Sequence, residues 1–169
     1  MRDNSNEIFP IVDCNGEVIG SATRGECHSG SKLLHPVVHL QVYNSKGELY
    51  LQRRPLWKDI QPGKWDTAVG GHIDFGESVE VALVREAKEE LGISGFTPKL
   101  RCKYLFESAV EHEFVYSFST VYDGTINPSA ELDGGKFWSK EEIEEAINRG
   151  NILTPNFENE YRELLSAKI

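Results

Sequence analysis

Residues 71–93 constrain the fold of this chain more than any other stretch, because they combine a glycine-rich loop, an apolar-striped helix and a glycine stop. The hydroxyl of Ser78 can cap the helix by accepting a hydrogen bond from a free backbone N–H. Gly92 suits the left-handed residue that commonly ends a helix. The apolar residues of this helix fall close to one stripe: Val79, Ala82, Leu83 and Ala87. The stretch therefore predicts a loop followed by a helix that packs on a core.

Three glutamates project from one side of the predicted helix. Glu86, Glu89 and Glu90 stand at positions i, i+3 and i+4, so they lie within a single turn. Their negative charges repel each other, and a helix that only has to fold gains nothing from them. A solvated acidic face is the simplest interpretation of three isolated glutamates. Together, however, they also form an oxygen-rich site that suits Mg²⁺ or Mn²⁺.

The whole stretch matches the Nudix box, G-x5-E-x7-R-E-U-x-E-E-x-G-U, in which U is aliphatic. The matching residues are Gly71, Glu77, Arg85, Glu86, Glu89, Glu90, Gly92 and Ile93, and the small apolar Ala87 stands at the first U position. A match at this many fixed positions is far more specific than a lone glycine motif. The chain therefore resembles the Nudix family. This resemblance implies a loop–helix–loop that binds a divalent metal against a diphosphate.

The resemblance also implies a reaction, which is the attack of water on a diphosphate phosphorus. Its metal ligands would be Glu86, Glu89 and Glu90, with the carbonyl of Gly70 as a further ligand. Arg85 would pair with Glu77 and fix the loop to the helix, with Gly71 and Gly92 as further structural positions. The general base in this family is either a box glutamate or a glutamate from a distant loop. Glu131 lies where such a loop residue is often found, although it also suits a solvated turn.

Length and charge limit the kind of protein this can be. A chain of 169 residues can bury one good core, and we expect a single domain over residues 1–169. The net charge of −9 argues against nucleic-acid and anionic-membrane partners. No apolar run is long enough to span a bilayer, and the start of the chain lacks a signal-peptide pattern. The scattered cysteines Cys14, Cys27 and Cys102 suggest no disulfide framework, so we expect a cytoplasmic location.

The order of the patterned segments predicts the fold class. An Asn-Gly turn predicts an N-terminal β-hairpin over residues 8–21, and residues 24–31 read as a loop. Further strands are predicted over 34–43, 48–54, 65–70, 99–107 and 113–122, and further helices over 139–149 and 156–167. This order predicts an α/β protein with the Nudix fold, in which helices sandwich a mixed β-sheet. Nothing in the hairpin itself carries chemistry.

Two adjacent arginines end the second main strand. Arg53 and Arg54 could hold a phosphate through bidentate hydrogen bonds. A pair of solvated surface arginines is the equally plausible alternative.

The remaining residues of ligand type resemble a second metal site. Residues from about 28 to 138 are similar to the type I isopentenyl-diphosphate isomerases of the Nudix family. Those enzymes carry a histidine pair, a Gly-His and a Glu-x-Glu that together bind a second metal. The matching residues are His28, His35, His72, Glu111 and Glu113. Such a set suits Zn²⁺, Mn²⁺ or Fe²⁺ better than Mg²⁺. Each residue alone has an ordinary structural explanation.

One residue departs from the isomerase pattern. The isomerases place an essential cysteine directly before the Gly-His, whereas this chain has Gly70 there. Without the thiol, the proton shuttle lacks one of its acid/base groups. We therefore expect a metal-dependent hydrolase of a small-molecule diphosphate, with a nucleoside diphosphate linked to another group as the default substrate. The alternatives are an isomerase-like enzyme and a non-catalytic diphosphate sensor. The sequence leaves a homodimer through strand edges open.

Overall fold

The computed structural model describes residues 4–58 and 60–165. The strands are β1 (Ile8–Val12), β2 (Val18–Thr23), β3 (Leu34–Tyr43), β4 (Leu49–Arg53), β5 (Trp65–Thr67), β6 (Val69–His72), β7 (Lys99–Glu107), β8 (His112–Val121) and β9 (Gly135–Trp138). The helices are α1 (Arg24–Cys27), α2 (Val79–Leu91), α3 (Lys140–Arg149) and α4 (Pro155–Glu160), and a π-helical turn (Tyr161–Leu165) follows α4.

Strand β3 is the centre of a mixed sheet that comprises seven strands of the described residues. It runs parallel to β8 over its whole length and antiparallel to β6 and β4 on its other edge. Strand β7 continues the sheet beyond β8, whereas β5 and β9 both pair with β4. The N-terminal strands β1 and β2 form a separate hairpin, as the Asn-Gly turn predicts.

The two larger apolar clusters of the core lie on opposite sides of the sheet. Helix α2 packs with β3 and β6 in the larger cluster, where Leu83 and Leu91 meet Leu40. Leu49 and Leu51 of β4 instead pack with α3 and α4, whereas Tyr50 between them joins the larger cluster. This split follows from the alternation of side chains along a strand. The predicted mixed sheet between helices is therefore confirmed.

The predicted helix caps are present. Ser78 Oγ accepts a hydrogen bond from Val81 N at 3.2 Å, and Gly92 ends α2 in the left-handed conformation at φ 65°. Ser139 and Glu142 form a capping box at the start of α3. No helix of residues 4–58 and 60–165 is long and apolar enough to cross a membrane.

Four segments differ from the sequence expectation. The predicted loop at 24–31 begins with the one-turn helix α1, because Thr23 and Glu26 form a capping box. The predicted strand at 65–70 is two strands, because β5 pairs with β4 and β6 pairs with β3. Strand β9 was not expected, since four residues are too few for a clear alternation.

The last helix also differs from the expectation of 156–167. It starts at Pro155, which takes the first helical position after the cap Thr154. After Glu160 the chain continues as the π-helical turn rather than as an α-helix. Residues 166 and 167 lie outside the described residues, as do the side chains of Leu164 and Leu165.

We predict that Gly92→Ala lowers the free energy of unfolding by about 1 kcal/mol, because a Cβ is disfavoured in the left-handed conformation. The added Cβ would also meet Asn127 at 3.4 Å. Gly20→Ala is the matched control, because a Cβ at Gly20 would meet no atom within 4 Å. Urea unfolding of both variants measures the difference. Equal stabilities would contradict the role of Gly92 in ending α2.

Candidate functional site

Arg85 connects the glycine-rich loop to α2. Its Nε and Nη2 donate to the two carboxylate oxygens of Glu77 at 2.8 and 2.9 Å, and Nη2 also donates to the carbonyl of His72 at 3.1 Å. Glu77 in turn accepts a hydrogen bond from the backbone N–H of Asp74 at 3.0 Å. The hydrogen bonds from Arg85 hold the pKa of Glu77 below its usual value. The loop, β6 and the helix are therefore joined through one guanidinium group.

Glu86 lies against the backbone of β6. A Cβ at Gly71 would overlap the carboxylate of Glu86, so this contact requires glycine at position 71. Arg85 Nη1 donates to Glu86 Oε1 at 2.9 Å. Burial raises the pKa of Glu86 above its usual value, and the charge of Arg85 opposes the rise.

Glu90 is the most enclosed carboxylate of the three. Its Oε1 accepts a hydrogen bond from Gln52 Nε2 at 3.1 Å, while its Oε2 is buried and finds no partner among the described residues. Burial and the neighbouring charge of Glu86 raise the pKa of Glu90 well above its usual value. The backbone of Gly70 on β6 lies beside this carboxylate and opposes the rise in its pKa. A divalent cation fits this site, because it would satisfy the orphan oxygen and offset the repulsion.

Glu89 differs from its two neighbours on α2 because its side chain is exposed. Its Oε2 accepts a hydrogen bond from Arg85 Nη1 at 3.3 Å, so Arg85 contacts both Glu86 and Glu89. The structure thus brings Glu86 and Glu90 together beside Gly70 and Gly71, with Glu89 at the solvent edge.

The three predicted histidine ligands come together from three separate segments. His28 follows α1, His35 lies on β3, and His72 ends β6. One potential ligand nitrogen from each lies within 4.8 Å of the others. The Nε2 atoms of His28 and His72 are 3.2 Å apart. Imidazole rings this close would repel each other if they were protonated. The arrangement therefore suits rings that share a metal ion better than rings that carry a charge.

The two predicted carboxylates lie beside these histidines. Glu111 Oε1 is 3.4 Å from His28 Nε2, and Glu113 Oε2 is 3.8 Å from His72 Nε2 and 3.9 Å from His35 Nε2. Burial and the charge of Glu111 raise the pKa of Glu113 to about 8. We refer to His28, His35, His72, Glu111 and Glu113 as the histidine cluster.

The protonation of the histidine cluster fits a transition metal. Burial lowers the pKa of His35, and burial with nearby cations lowers the pKa of His72 well below its usual value, which favours the neutral form of both rings. His35 Nδ1 lies 2.9 Å from the carbonyl of Leu33, whereas its buried Nε2 has no hydrogen-bond partner among the described residues. A neutral imidazole with one nitrogen held and the other free is suited to metal ligation.

The hairpin contributes a residue that the sequence analysis missed. The ring of Phe9, fully buried, stacks on His72 with centroids 4.5 Å apart and on His35 with centroids 5.7 Å apart. The hairpin therefore covers the histidine cluster through a packing contact. Its alternating pattern gave no sign of this contact.

The structure does not bring Arg53 and Arg54 together at one phosphate site. Arg53 Nη1 lies 3.2 Å from Asp133 Oδ2, whereas Arg54 Nη1 lies 3.5 Å from Asp66 Oδ2. Successive residues of an extended chain point in opposite directions, which separates the two guanidinium groups. The exposed Glu131 lies in the loop that contacts the end of α2, where Ser129 N donates to the carbonyl of Glu90 at 2.8 Å.

A buried polar network was also missed. Glu160 of α4, only 1% exposed, accepts hydrogen bonds from four side chains of the sheet: His39, Gln41, Tyr104 and Ser117. The isolated Glu160 on an otherwise apolar side of the last helix was a signal for it. Its partners lie too far away in sequence to be inferred.

Fold and site together define an α/β protein in which a loop–helix segment holds a carboxylate cluster against a mixed sheet. The NUDIX domain profile matches residues 33–160, and the chain therefore belongs to the Nudix family. An uncharacterised Nudix hydrolase of Streptomyces coelicolor is 33% identical over 136 residues, covering 78% of this chain and 73% of that protein.

Relatives with another name align over more of the chain. Isopentenyl-diphosphate Delta-isomerase 1 of Photorhabdus laumondii is 30% identical over 168 residues, covering 94% of this chain and 95% of that protein. Among solved structures, a Deinococcus radiodurans protein has a TM-score of 0.81 at 25% identity, covering 94% of this chain and 99% of that chain. A MutT protein from Methanosarcina mazei has a TM-score of 0.67 at 25% identity, covering 80% of this chain and 94% of that chain. The resemblance to the Nudix hydrolases and the resemblance to the isopentenyl-diphosphate isomerases are therefore both confirmed.

We predict that Glu77→Gln lowers the free energy of unfolding by about 1.5–3 kcal/mol at neutral pH, because it removes charge-assisted hydrogen bonds from Arg85. The folded-state pKa of Glu77 is lowered, so its stabilisation is complete above the unfolded pKa of about 4.3. It is lost as the pH falls through the lower, folded-state pKa. The difference in the free energy of unfolding between wild type and variant therefore disappears in acid.

Urea unfolding of Glu77→Gln at a series of pH values measures this difference. Glu145→Gln is the control, because Glu145 pairs with Arg149 at 2.9 Å on the exposed side of α3 and should cost at most about 0.5 kcal/mol. Identical losses in the two variants would argue that the Arg85–Glu77 pair has no special role.

Proposed function

We propose that this protein is a metal-dependent Nudix pyrophosphohydrolase that cleaves a diphosphate in a nucleoside diphosphate linked to another group. The observation that carries the proposal is the buried, partnerless Oε2 of Glu90 beside the carboxylate of Glu86. Two enclosed carboxylates with raised pKa values are unfavourable for folding alone. A site for Mg²⁺ or Mn²⁺ explains why the chain keeps them.

Glu86, Glu89 and Glu90 would hold the metal, with the carbonyl of Gly70 as a further ligand. The bound ion would offset the charge of the phosphates and make water a stronger nucleophile. Gln52 orients Glu90 through its amide, and Arg85 orients Glu86 and Glu89. The reaction adds water across one P–O–P linkage and yields two phosphate-bearing products. The proton of the attacking water is taken by a box glutamate or by Glu131.

We predict that Glu90→Gln reduces kcat by at least about 100-fold in the presence of Mg²⁺ or Mn²⁺, because the amide cannot replace a charged ligand. Glu80→Gln is the matched control on the same helix, since Glu80 is exposed in the first turn of α2. The assay is ³¹P NMR of nucleoside di- and triphosphates, nucleotide sugars, dinucleoside polyphosphates and isopentenyl diphosphate. Normal turnover by Glu90→Gln at saturating metal would exclude this metal site.

We also propose that the histidine cluster binds a separate transition metal, with Zn²⁺, Mn²⁺ and Fe²⁺ as the candidates. The support is the convergence of the three histidines and the orphan Nε2 of His35. A metal ion there would hold the N-terminal segment and the sheet together.

We predict that purified protein retains about one equivalent of transition metal per chain and that His35→Ala loses it. Elemental analysis after dialysis measures the content. His112→Ala is the control, because the imidazole of His112 lies near the carbonyl of Lys32, at 3.4 Å, outside the cluster. Equal metal content in His35→Ala and wild type would refute the second site.

An isomerase acting on an allylic or homoallylic diphosphate is the second candidate function. It is favoured by the histidine cluster and by the relatives named isopentenyl-diphosphate isomerases. Gly70 opposes it, because position 70 carries no acid/base group. A diphosphate sensor without activity ranks last, since the chain keeps all the box carboxylates. A diphosphate that stays intact by ³¹P NMR while its double bond moves by ¹H NMR would establish the isomerase.

A further inference from the structure

A groove lies at one end of the central sheet, away from the carboxylate cluster and the histidine cluster. It has a volume of about 520 Å³, and it is lined by the end of β3 and the turn after it, the segment that begins β7 and the end of β8. Tyr43 ends β3, whereas Val38 pairs with Gly71 beside the carboxylate cluster. At about 3.3 Å per residue, the stretch from Val38 to Tyr43 spans roughly 17 Å. The groove, which we call the end groove, is therefore separate from the proposed catalytic site.

Two basic side chains of β7 line the end groove, Lys99 and Arg101. Neither forms an ion pair with another described residue. The described residues that line the groove include no aspartate or glutamate. The carboxylate of Asp123 lies next to the turn, where it accepts a hydrogen bond from Ser45 N at 2.9 Å. The groove is therefore a local region of positive charge on a chain whose net charge is −9, and it favours an anionic ligand.

A β-bulge in β7 sets the position of Arg101. The register between β7 and β8 shifts within residues 100–102, which leaves Arg101 without a partner on β8. The shift also places Lys103 on the other face of the sheet from Lys99, and Lys103 Nζ lies 5.5 Å from the centroid of the Tyr116 ring there. Bulges commonly re-aim a side chain toward a functional site. Here the bulge keeps two cations at the end groove and turns the third one away.

The floor of the end groove offers hydroxyl groups. Ser119 of β8 lines the groove with only 8% of its surface exposed, and its hydroxyl makes no hydrogen bond with another described residue. Burial raises the pKa of Tyr43 to about 12, and the charge of Arg101 opposes the rise. The hydroxyl of Tyr43 is therefore protonated at neutral pH and lies near the guanidinium group. A bound acceptor would satisfy the buried hydroxyl of Ser119, since buried polar groups are rarely left without a partner.

Cations and hydroxyl groups in one groove suit a phosphate group better than a single carboxylate. A phosphate monoester carries close to two negative charges at neutral pH and has three terminal oxygens that accept hydrogen bonds. These oxygens can accept from Arg101 and Lys99 and from the hydroxyl of Ser119 at the same time. The groove also has an apolar side, because the ring of Tyr43 lines it together with Val121, which is 66% exposed. An organic group attached to the phosphate would cover this side.

We propose that the end groove binds a phosphate monoester of a small organic molecule. Lys99, Arg101 and Ser119 hold the phosphate, and the organic part packs on Tyr43 and Val121. Binding there needs no divalent metal, because the two side chains supply the positive charge. The proposed hydrolysis would release compounds of this class, but binding at the end groove does not depend on that reaction.

The test is a ¹H–¹⁵N NMR titration of the full chain as purified, without added Mg²⁺ or Mn²⁺. The probes are AMP, which has both parts of the ligand, inorganic phosphate, which has only the charged part, and adenosine, which has only the organic part. The amides that shift locate the bound probe, and the concentration dependence of the shifts gives Kd. The variants are Arg101→Gln and Lys99→Gln. Lys103→Gln is the matched control, because Lys103 lies on the same strand but on the other face of the sheet.

We expect AMP and phosphate to shift the amides of four lining residues: Ser45, Thr97, Ser119 and Val121. Adenosine at the same concentration should leave them in place, and AMP should bind about threefold or more tightly than phosphate, since its organic part adds apolar contact. Arg101→Gln should raise the Kd of both phosphate-bearing probes by about tenfold or more, because it removes charge-assisted hydrogen bonds. Lys99→Gln should raise Kd by about threefold, whereas Lys103→Gln should stay within about twofold of wild type. The spectrum of each variant verifies that it is folded.

The inference is wrong if neither AMP nor phosphate shifts the amides of the end groove at millimolar concentration. It is also wrong if Arg101→Gln and Lys103→Gln change Kd equally, or if the shifts are confined to residues 70–93 at the carboxylate cluster. Equal Kd values for AMP and phosphate would overturn the assignment of the organic part to Tyr43 and Val121. None of these results depends on hydrolysis, so they are separate from the outcome for Glu90→Gln.

Discussion

The guanidinium group of Arg85 is the interaction on which the rest of the site depends. It contacts Glu77, Glu86 and Glu89 and the carbonyl of His72, so it joins the loop, the helix and β6 at one point. Without this cation the carboxylates of α2 would repel each other in a partly buried environment. Arginine suits the position because its planar group offers several donors and stays charged. Lysine would supply one point charge in place of this fixed set of donors.

The two glycines of strand β6 have different surroundings. At Gly71 the missing Cβ leaves room that the carboxylate of Glu86 fills, whereas a Cβ at Gly70 would only touch His39 Cδ2, at 3.7 Å. Because successive residues of a strand face opposite sides, Gly71 faces α2 while Gly70 and His72 face the side of His39. The carboxylate cluster and the histidine cluster are thus built from the same short strand.

The features that the sequence predicted well are local ones. The caps of α2 and α3 and the fold of residues 71–93 follow from residues within a few positions of each other. The histidine cluster was predicted only from the spacing it shares with the isopentenyl-diphosphate isomerases. The structure places its three histidines close together. The pair of His39 and Glu160 spans 121 positions in sequence, and no periodic pattern indicates such a contact. Phe9 was missed for the same reason. Arg53 and Arg54 point to different places because each arginine pairs with a different aspartate.

The shared use of β6 also limits how this chain can change. A strand that shifts by one residue against its neighbour exchanges the side chains on its two faces. An insertion or deletion between Ala68 and Gly70 would therefore turn His72 toward α2 and leave Glu86 facing a residue other than Gly71. Both clusters would be lost in one step, although they lie on different sides of the sheet. Sequence length in this short segment is consequently under a tighter constraint than the identity of most residues around it.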